Sequence, residues 1–336
     1  MTAAPEASLI LTSLHEARLP DIGAALTGRG LWLDYGAAIL RLRSDSAALA
    51  AQLQAVYRNF AFVSDAPWAD LHIQIERPRN MRRWLAPQVV FRCDGRQPFE
   101  PFPADSPLPL LEWGGNWLIG QRFNDLLLLH AGAVERDGLA LVLPAMPGSG
   151  KSTLAAALSL SGWRLLSDEF GAYDPQSRAF RPMLKPIALK NESIDVIRRF
   201  SPQARLGPLF PKTRKGTVAH LAADADAVAR RREPAVPGAV ILPRWVQGSG
   251  TKLETVSRDR VFAALAFNAF NYSTLGATGF DAVVGLARQC PAWTLVYSDL
   301  KDALAAIDRL WVDVARLRMK PAANTTPEAI SAASAA

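Results

Sequence analysis

The 336-residue chain is predicted to be an α/β protein with a mixed sheet, preceded by a small α+β unit. Two observations predict the main fold: from Asn124 onward, apolar runs typical of strands alternate with helix-forming segments, and a glycine-rich loop follows one of those strands. A third observation predicts the separate unit, because residues 30–107 hold short strand-like runs broken by turn signals. We therefore expect domains at 1–107 and 108–320, and a disordered Ala-rich tail at 321–336.

The N-terminal unit contains no arrangement of side chains that indicates catalysis. A helix is predicted from Leu108 onward, and Trp113 and Trp117 lie one turn apart on it. We interpret these two residues as packing side chains rather than as a platform for a ligand, because buried aromatic residues usually serve as packing. The other elements predicted for this unit are a hairpin at 31–44, a helix at 46–60, and strands at 70–78 and 88–95.

The second unit begins with two apolar runs that predict a β-hairpin. Asp137 and Gly138 separate the runs, and Asp-Gly is a strong signal for a two-residue turn. Such a turn places Arg136 opposite Leu139 and, continued along the ladder, brings His130 opposite Ala145. His130 is therefore predicted to lie at the mouth of the loop that follows the second strand, although a histidine on an apolar strand is more often a core residue.

A glycine-rich loop, a helix and a third strand follow this hairpin. The helix is predicted at 152–161 and ends at Gly162, and the strand is predicted at 163–168. A strand, a crossover helix and a second strand normally form a parallel pair, so we expect Asp168 and Glu169 to emerge beside the loop. Further predicted elements are strands at 185–190, 217–221, 239–245 and 252–257, and helices at 259–271, 279–288 and 301–317.

The loop sequence AMPGSGKST matches the phosphate-binding pattern G-x-x-x-x-G-K-[ST] except at its first position, which is Ala145. In this pattern backbone N–H groups surround phosphate oxygens, the lysine reaches the β- and γ-phosphates, and the hydroxyl after it ligates Mg²⁺. The loop therefore predicts ATP and Mg²⁺ as ligands. The predicted nucleotide contacts are Pro147, Gly148, Ser149, Gly150, Lys151, Ser152 and Thr153.

Asp168 and Glu169 are predicted to face this loop, and two interpretations of the pair remain open. One carboxylate could take the proton of an acceptor hydroxyl while the other holds Mg²⁺. Alternatively, both could serve only as metal ligands, with the attacking group positioned by other residues.

The formal net charge of +7 has its origin in one segment of the chain. Residues 181–215 contain nine basic and two acidic side chains, so the rest of the sequence sums to zero. A basic surface would indicate a nucleic acid or a membrane as the partner, whereas one basic segment indicates phosphates or an acidic acceptor at a single site. We therefore expect neither a nucleic-acid nor a membrane partner.

The segment from Leu128 to Asp174 resembles the catalytic core of the HPr serine kinase family, whose members are P-loop kinases related to phosphoenolpyruvate carboxykinase. His130 in LLHAGAV, the loop AMPGSGKST, and Asp168 with Glu169 in LLSDEF carry the resemblance. Within the family, the chain is most similar to the divergent group of HprK-related kinases (kinase A-like). The resemblance implies a P-loop kinase core that transfers the γ-phosphoryl group of ATP to a serine or other hydroxyl of a protein, peptide or carrier.

The resemblance also implies roles for individual residues. Asp168 would be the general base, Ser152 and Glu169 would hold the metal ion, and His130 would support Asp168, with Lys151 acting on the phosphates.

The basic segment would lie where related enzymes place an acceptor-binding loop. Lys190, Arg214 and Lys215 are therefore candidate contacts for the phosphoryl group or the acceptor, against the alternative of an ordinary solvated loop.

The sequence departs from the family pattern in three respects. Ala145 replaces the first glycine of the loop, and Glu169 replaces the usual second aspartate. The Arg-Gly-Leu-Gly segment of true HPr kinase/phosphorylases is absent. HPr itself as the acceptor, and the reverse phosphorolysis, are therefore not expected.

Two other functions remain open from the sequence. A nucleotide-binding regulatory module without transferase activity would also explain the loop. Nucleic-acid binding is indicated by the net charge alone, because the sequence contains no helix-turn-helix, zinc or stacking-aromatic signature. Cys93 and Cys290 are too few for a disulfide framework, which is typical of a reducing compartment. A secretory signal is not expected, because no basic residues precede the first apolar run. Both observations favour a cytoplasmic location. The sequence leaves homo-oligomerisation open.

Overall fold

The fold is mixed α/β, with both parallel and antiparallel strand pairs in its largest sheet, as the sequence predicts. Pro147 of the glycine-rich loop and the tail predicted at 321–336 lie outside the residues that the structure describes. The computed structural model describes residues 12–78, 81, 87–146 and 148–319.

The N-terminal part forms a sheet of five strands flanked by helices. Its elements are α1 (Leu19–Thr27), β1 (Leu31–Asp34), β2 (Ile39–Ser44), α2 (Ala47–Val56), β3 (Leu71–Glu76), β4 (Gln88–Cys93), β5 (Phe102–Pro103) and α3 (Pro107–Arg122). The strand order is β1-β2-β3-β4-β5. Alternate side chains of β3 are buried, which explains its period-two sequence pattern. The hairpin, α2, β3, β4 and α3 were predicted, whereas α1 and β5 were not.

The rest of the chain forms an eight-stranded sheet, a three-stranded sheet and the helices that cover them. The elements are β6 (Leu127–Arg136), β7 (Leu139–Pro144), α4 (Lys151–Ser159), β8 (Arg164–Ser167), β9 (Phe170–Asp174), β10 (Ala179–Arg181), β11 (Ile187–Lys190), α5 (Glu192–Phe200), β12 (Phe210–Thr213), β13 (Gly216–Leu221), α6 (Ala225–Ala229), β14 (Val236–Trp245), β15 (Lys252–Thr255), α7 (Arg258–Phe267), α8 (Tyr272–Leu275), α9 (Ala277–Gln289), β16 (Ala292–Tyr297) and α10 (Leu300–Met319). The large sheet has the order β10-β9-β6-β7-β14-β16-β15, with β8 also paired to β6, and the small sheet has the order β11-β13-β12.

The predicted hairpin between β6 and β7 is confirmed, including its register. Asp137 and Gly138 both have positive φ (57° and 77°), as a type I′ turn requires. Arg136 pairs with Leu139, and the ladder continues in the same register to Ala131 and Pro144. The mouth of the glycine-rich loop therefore lies beside the part of β6 that carries His130.

The predicted parallel pair of β7 and β8 is wrong, because β6 lies between these two strands. Both β7 and β8 run antiparallel to β6, so they point the same way without sharing hydrogen bonds. The parallel neighbour of β7 is β14. The hairpin partner occupies the edge of β7 that a crossover strand would otherwise take.

Asp168 and Glu169 lie in a break within a strand rather than at the end of one. β8 and β9 pair successively along β6 in one register, since Phe170 pairs with His130 and Ser167 pairs with Ala133, and the register shifts only within β8, between Ala133 and Val134 of β6. The Ser167 hydroxyl accepts hydrogen bonds from the N–H groups of Glu169 (3.3 Å) and Phe170 (3.0 Å), which fixes the break. The two acidic residues at this break lie near the glycine-rich loop, because the charge of Lys151 acts on the pKa of both.

Both faces of the large sheet are buried. Leu127 and Leu129 of β6 belong to a hydrophobic cluster that includes α7 and α9. Leu128 and Val134 belong to a second cluster, which contains α4 and α10 and continues into the N-terminal part. Burial on both faces explains why these strands read as nearly continuous apolar runs.

The N-terminal part and the large sheet are joined by backbone hydrogen bonds as well as by apolar packing. The N–H of Leu184 donates to the carbonyl of Tyr35 (2.8 Å), and the N–H of Ala37 donates to Pro182 (2.8 Å). Cys93 and Cys290 are both buried and do not form a disulfide bond with each other. Among the helices of the described residues, none has the length and apolar character needed to cross a membrane.

Candidate functional site

The glycine-rich loop is held by the carboxyl ends of two neighbouring strands. Gly150 has a φ of 87°, and a Cβ at this position would lie 2.5 Å from the Tyr297 hydroxyl. That hydroxyl, at the end of β16, donates a hydrogen bond to the carbonyl of Gly150 (3.2 Å). The N–H of Trp245, at the end of β14, donates to the carbonyl of Ser149 (3.0 Å). Glycine at position 150 is therefore required both by conformation and by space.

The departure from the pattern at Ala145 causes no conformational strain. Ala145 is buried and does not belong to the non-glycine residues with positive φ. A Cβ is penalised only in the left-handed region that glycine visits freely, so alanine fits this position.

A cavity of about 1020 Å³ opens over the loop, and we call it the loop cavity. The ends of β14 and β16 and the helix α5 form its other walls, through Trp245, Tyr297, Val196 and Phe200 among others. Six of the seven predicted nucleotide contacts line it: Gly148, Ser149, Gly150, Lys151, Ser152 and Thr153.

Lys151 is buried at the first position of α4, with only 7% of its surface exposed. Its aliphatic stem lies near Gly132 of β6, where a Cβ would be 3.6 Å from the lysine Cγ. Within the part of the chain that the structure describes, its ammonium nitrogen Nζ has no hydrogen-bond partner. A buried cation without a partner is costly, so this position favours an anionic ligand.

The two carboxylates beside the loop have different environments. Asp168 is buried, and its Oδ1 atom has no hydrogen-bond partner among the described residues. Burial raises the pKa of Asp168 to about 6, against the attraction of Lys151. Burial also opposes ionisation of Glu169, but the combined attraction of Lys151, His130 and other cations lowers the pKa of this carboxyl. Neighbouring acids whose pKa values are moved apart are typical of catalytic pairs.

His130 faces Glu169 across a short gap. Its Nε2 atom lies 3.9 Å from Oε1 of Glu169. Burial and the nearby Lys151 lower the pKa of His130. The carboxylate nearest to the His130 ring nitrogen is therefore that of Glu169. The family resemblance implies instead that His130 supports Asp168. The ring also packs against Phe270, 5.6 Å between ring centroids.

A second cavity, of about 410 Å³, is lined by both carboxylates, and we call it the aromatic cavity. Phe102, Trp113 and Trp117 contribute to its walls. Asp168 lines this cavity and not the loop cavity, whereas Glu169 lines both. The two cavities thus meet at the break between β8 and β9.

The candidate basic residues lie at this junction. Lys190, at the end of β11, and Lys215, in the turn between β12 and β13, line both cavities, whereas Arg214 lines only the aromatic cavity. Burial and the repulsion of Lys190 lower the pKa of Lys215. The turn is fixed, because the N–H of Thr217 donates to the side-chain oxygen of Asn191 (3.0 Å).

Several residues of the aromatic cavity were not predicted from the sequence. Lys185 and Glu112 form a buried ion pair of 2.9 Å across the cavity wall. Trp113 packs on Phe99 with ring centroids 4.2 Å apart, as its interpretation as a packing residue predicts. It nevertheless lines the cavity together with Trp117, so that interpretation was incomplete.

Other unpredicted residues line the loop cavity, namely Trp245, Tyr297 and Lys301. The only sequence signal for Trp245 and Tyr297 was their position at the carboxyl ends of apolar segments.

The described residues contain no group of three or more His, Cys, Asp and Glu side chains placed to hold a metal ion by themselves. Oxygen donors are nevertheless available, because the Ser152 hydroxyl and the Glu169 carboxylate line the same cavity. Hydroxyl and carboxylate oxygens suit a hard cation such as Mg²⁺, which commonly takes one or two carboxylates plus phosphate oxygens. The donor set therefore fits Mg²⁺ bound together with a phosphate ligand.

Comparison with known proteins adds no assignment to this geometry. No protein-family model matches the chain, and none of the curated proteins matches it.

Proposed function

We propose that this protein is an ATP- and Mg²⁺-dependent kinase with a P-loop core of the HPr serine kinase type, which transfers the γ-phosphoryl group to a hydroxyl acceptor. One observation carries the proposal: a cavity over a glycine-rich loop and a second cavity meet at two adjacent carboxylates, of which Glu169 lines both cavities and Asp168 lines the second. A phosphate donor and a hydroxyl acceptor bound in separate cavities would meet at this point.

The loop cavity supports ATP as the donor. The N-terminus of α4 provides backbone N–H groups and a favourable dipole for phosphate oxygens. The unpaired ammonium of Lys151 would find its partner in the β- and γ-phosphates. A pocket of about 1020 Å³ also has room for the base and ribose beyond the phosphates.

Ser152 and Glu169 would hold the Mg²⁺ ion. When bound, the ion neutralises charge on the phosphate oxygens and orients the γ-phosphoryl group. Glu169 suits this role because it borders both cavities and its pKa is lowered, so that it stays ionised.

Asp168 would act as the general base on the acceptor. The acceptor oxygen forms a bond to the γ-phosphorus as the bond to the β–γ bridging oxygen breaks, the hydroxyl proton passes to the Asp168 carboxylate, and ADP leaves. A pKa of about 6 leaves Asp168 mostly ionised at neutral pH and able to accept this proton. Lys190 and Lys215, which line both cavities, would stabilise charge on the transferring group.

The proposal is tested by transfer from γ-labelled ATP to the components of a cell extract. Asp168→Asn should reduce transfer by about 10²–10⁴-fold and leave ATP affinity close to that of the wild type. Lys151→Ala should reduce both the transfer activity and the affinity for ATP. Full transfer activity in Asp168→Asn would show that the proposed base is wrong. Tight ATP binding without transfer by the wild type would instead favour a regulatory nucleotide-binding module.

A further inference from the structure

Resting on the kinase function proposed above, we propose that the acceptor is an uncharged, ring-shaped small molecule with several hydroxyls, bound in the aromatic cavity. Its chemical class is that of a neutral sugar or cyclic polyol. Four features of the cavity carry this inference: its size, its aromatic walls, its paired buried cation and an unpaired buried imidazole.

The size of the aromatic cavity fits a small molecule. Its volume of about 410 Å³ lies in the range of pockets that enclose small ligands, roughly 300–1,000 Å³. Asp168 forms part of its wall. A hydroxyl that reaches Asp168 through this cavity therefore belongs to a group small enough to enter it.

The aromatic walls favour a flat, apolar ring face. Trp113 and Phe102 stack on each other, with 5.8 Å between their centroids and an angle of 23° between their planes, and form the inner part of the wall, whereas Trp117 and Phe270 are exposed. Trp117 lies one turn further along α3 and is 39% exposed. Phe270 borders the cavity at its junction with the loop cavity. Aromatic faces of this kind provide large contact areas for the C–H face of a sugar ring.

The buried cation of the cavity wall, Lys185, is paired with a carboxylate. Glu112 and Lys185 neutralise each other at 2.9 Å, and the Lys185 ammonium also donates to Oδ1 of Asn116 (2.5 Å). The other cations of the wall are the exposed residues Lys190, Arg214 and Lys215, and Lys190 and Lys215 also border the loop cavity. The one cation that is buried in the described part of this wall is thus already paired with a carboxylate, whereas the hydroxyls of an acceptor can bond to the amide and to the ion pair.

His220 lines the aromatic cavity and carries an unpaired polar atom. It is 1% exposed, and its Nδ1 atom has no hydrogen-bond partner among the described residues. Burial lowers the pKa of His220 to about 4, so the ring is neutral at pH 7. A neutral imidazole offers one donor and one acceptor, which suits a hydroxyl group. A buried polar atom without a partner favours a ligand that provides one.

The experiment divides a cell extract into three fractions before γ-labelled ATP and Mg²⁺ are added with the protein. One fraction holds macromolecules retained by a dialysis membrane. The second holds small molecules retained by ion exchangers, and the third holds the small neutral molecules that pass through. We expect label to appear in a product of the small neutral fraction.

Two pocket variants identify the cavity as the acceptor site. Trp117→Ala removes a partly exposed ring wall, and His220→Phe removes the unpaired nitrogen while keeping a ring. Each should reduce transfer to the neutral fraction about tenfold, because each removes a contact with the acceptor. The affinity for MgATP should not change. Trp68→Ala is the matched control, since this tryptophan is 57% exposed and lines neither cavity.

Each other outcome overturns the inference in a distinguishable way. Label only in macromolecules would mean that the kinase acts on a protein or another polymer. Label only in the charged fraction would mean an ionic acceptor, and labelling that both pocket variants leave unchanged would place the acceptor elsewhere. In these three cases the kinase function stands. Label in no fraction would count against the kinase function itself.

Discussion

Two buried charge clusters lie near the strand β6, and they differ in how completely their polar atoms are paired. In the first, the Arg164 guanidinium donates to the Glu135 carboxylate at 2.5 Å, and both side chains are 3% exposed. Arg164 also donates to the carbonyls of Arg230 and Glu233, and the N–H of Gly138 donates to Glu135 (2.6 Å). The charged groups of Arg164 and Glu135 therefore find their hydrogen-bond partners within the protein.

The second cluster contains Lys151, Asp168 and Glu169. The Lys151 ammonium and one Asp168 oxygen are buried without hydrogen-bond partners among the described residues. A polypeptide rarely buries such groups unless something else satisfies them. Because the fully paired cluster at Arg164 is buried as well, burial of charge alone does not indicate a ligand-binding site. Incomplete pairing beside a cavity does, because it leaves interactions available to a ligand.

The largest effect on stability is expected when the paired cluster is broken. Glu135→Ala leaves Arg164 buried without its carboxylate, which should lower the free energy of unfolding by about 3–5 kcal/mol. Urea denaturation would measure this change. Glu254→Ala on the edge strand β15, where the side chain is exposed, is the control and should change stability little. A loss below about 1 kcal/mol would contradict the structural role of the pair.

The unpaired cluster should respond in the opposite direction. Above pH 6 Asp168 is ionised in both states, and its pKa of about 6 in the folded protein against 3.8 for an ordinary aspartate destabilises the fold by up to about 3 kcal/mol. Asp168→Asn should therefore raise the free energy of unfolding at pH 7, measured in EDTA. As the pH falls from 6 to 4, Asp168 becomes protonated in the folded wild type before it does so in the unfolded chain. The difference in free energy of unfolding between the wild type and Asp168→Asn should therefore disappear. Equal stability of the two proteins at pH 7 would contradict the buried charge.

A smaller effect is expected at the support of the loop. Tyr297→Phe removes the hydrogen bond to the carbonyl of Gly150, which should lower the free energy of unfolding by about 0.5–1.5 kcal/mol. Because the same bond fixes the loop, the affinity for MgATP should fall by a few-fold in calorimetric titration. An unchanged affinity with lowered stability would mean that the loop keeps its conformation without this bond.

The sequence predicted much of what depends on neighbouring residues. Asp137 and Gly138 determine the turn, so the register that places His130 beside the loop followed from the pattern alone. The glycine-rich loop and α4 were predicted because glycine, lysine and helix-forming residues occur in one short stretch.

The sequence could not predict what depends on distant pairing. β6 separates β7 from β8 because it hydrogen-bonds to both, and no local pattern carries that information. The aromatic cavity was missed for a similar reason, since Glu112 and Lys185 lie 73 positions apart in the sequence. Trp113 and Trp117 were interpreted as packing residues because a helical stripe of aromatic side chains does not reveal an adjacent cavity.

The central claim is that the unpaired charges beside the glycine-rich loop form a phosphate site, and titration of MgATP followed by calorimetry tests it most directly. The wild type should bind MgATP, and Lys151→Ala should bind it at least about tenfold more weakly, as expected for the loss of a charge-assisted contact. The circular dichroism spectrum of the variant should match that of the wild type. Equal affinity of the two folded proteins, or no binding by the wild type, would contradict the account.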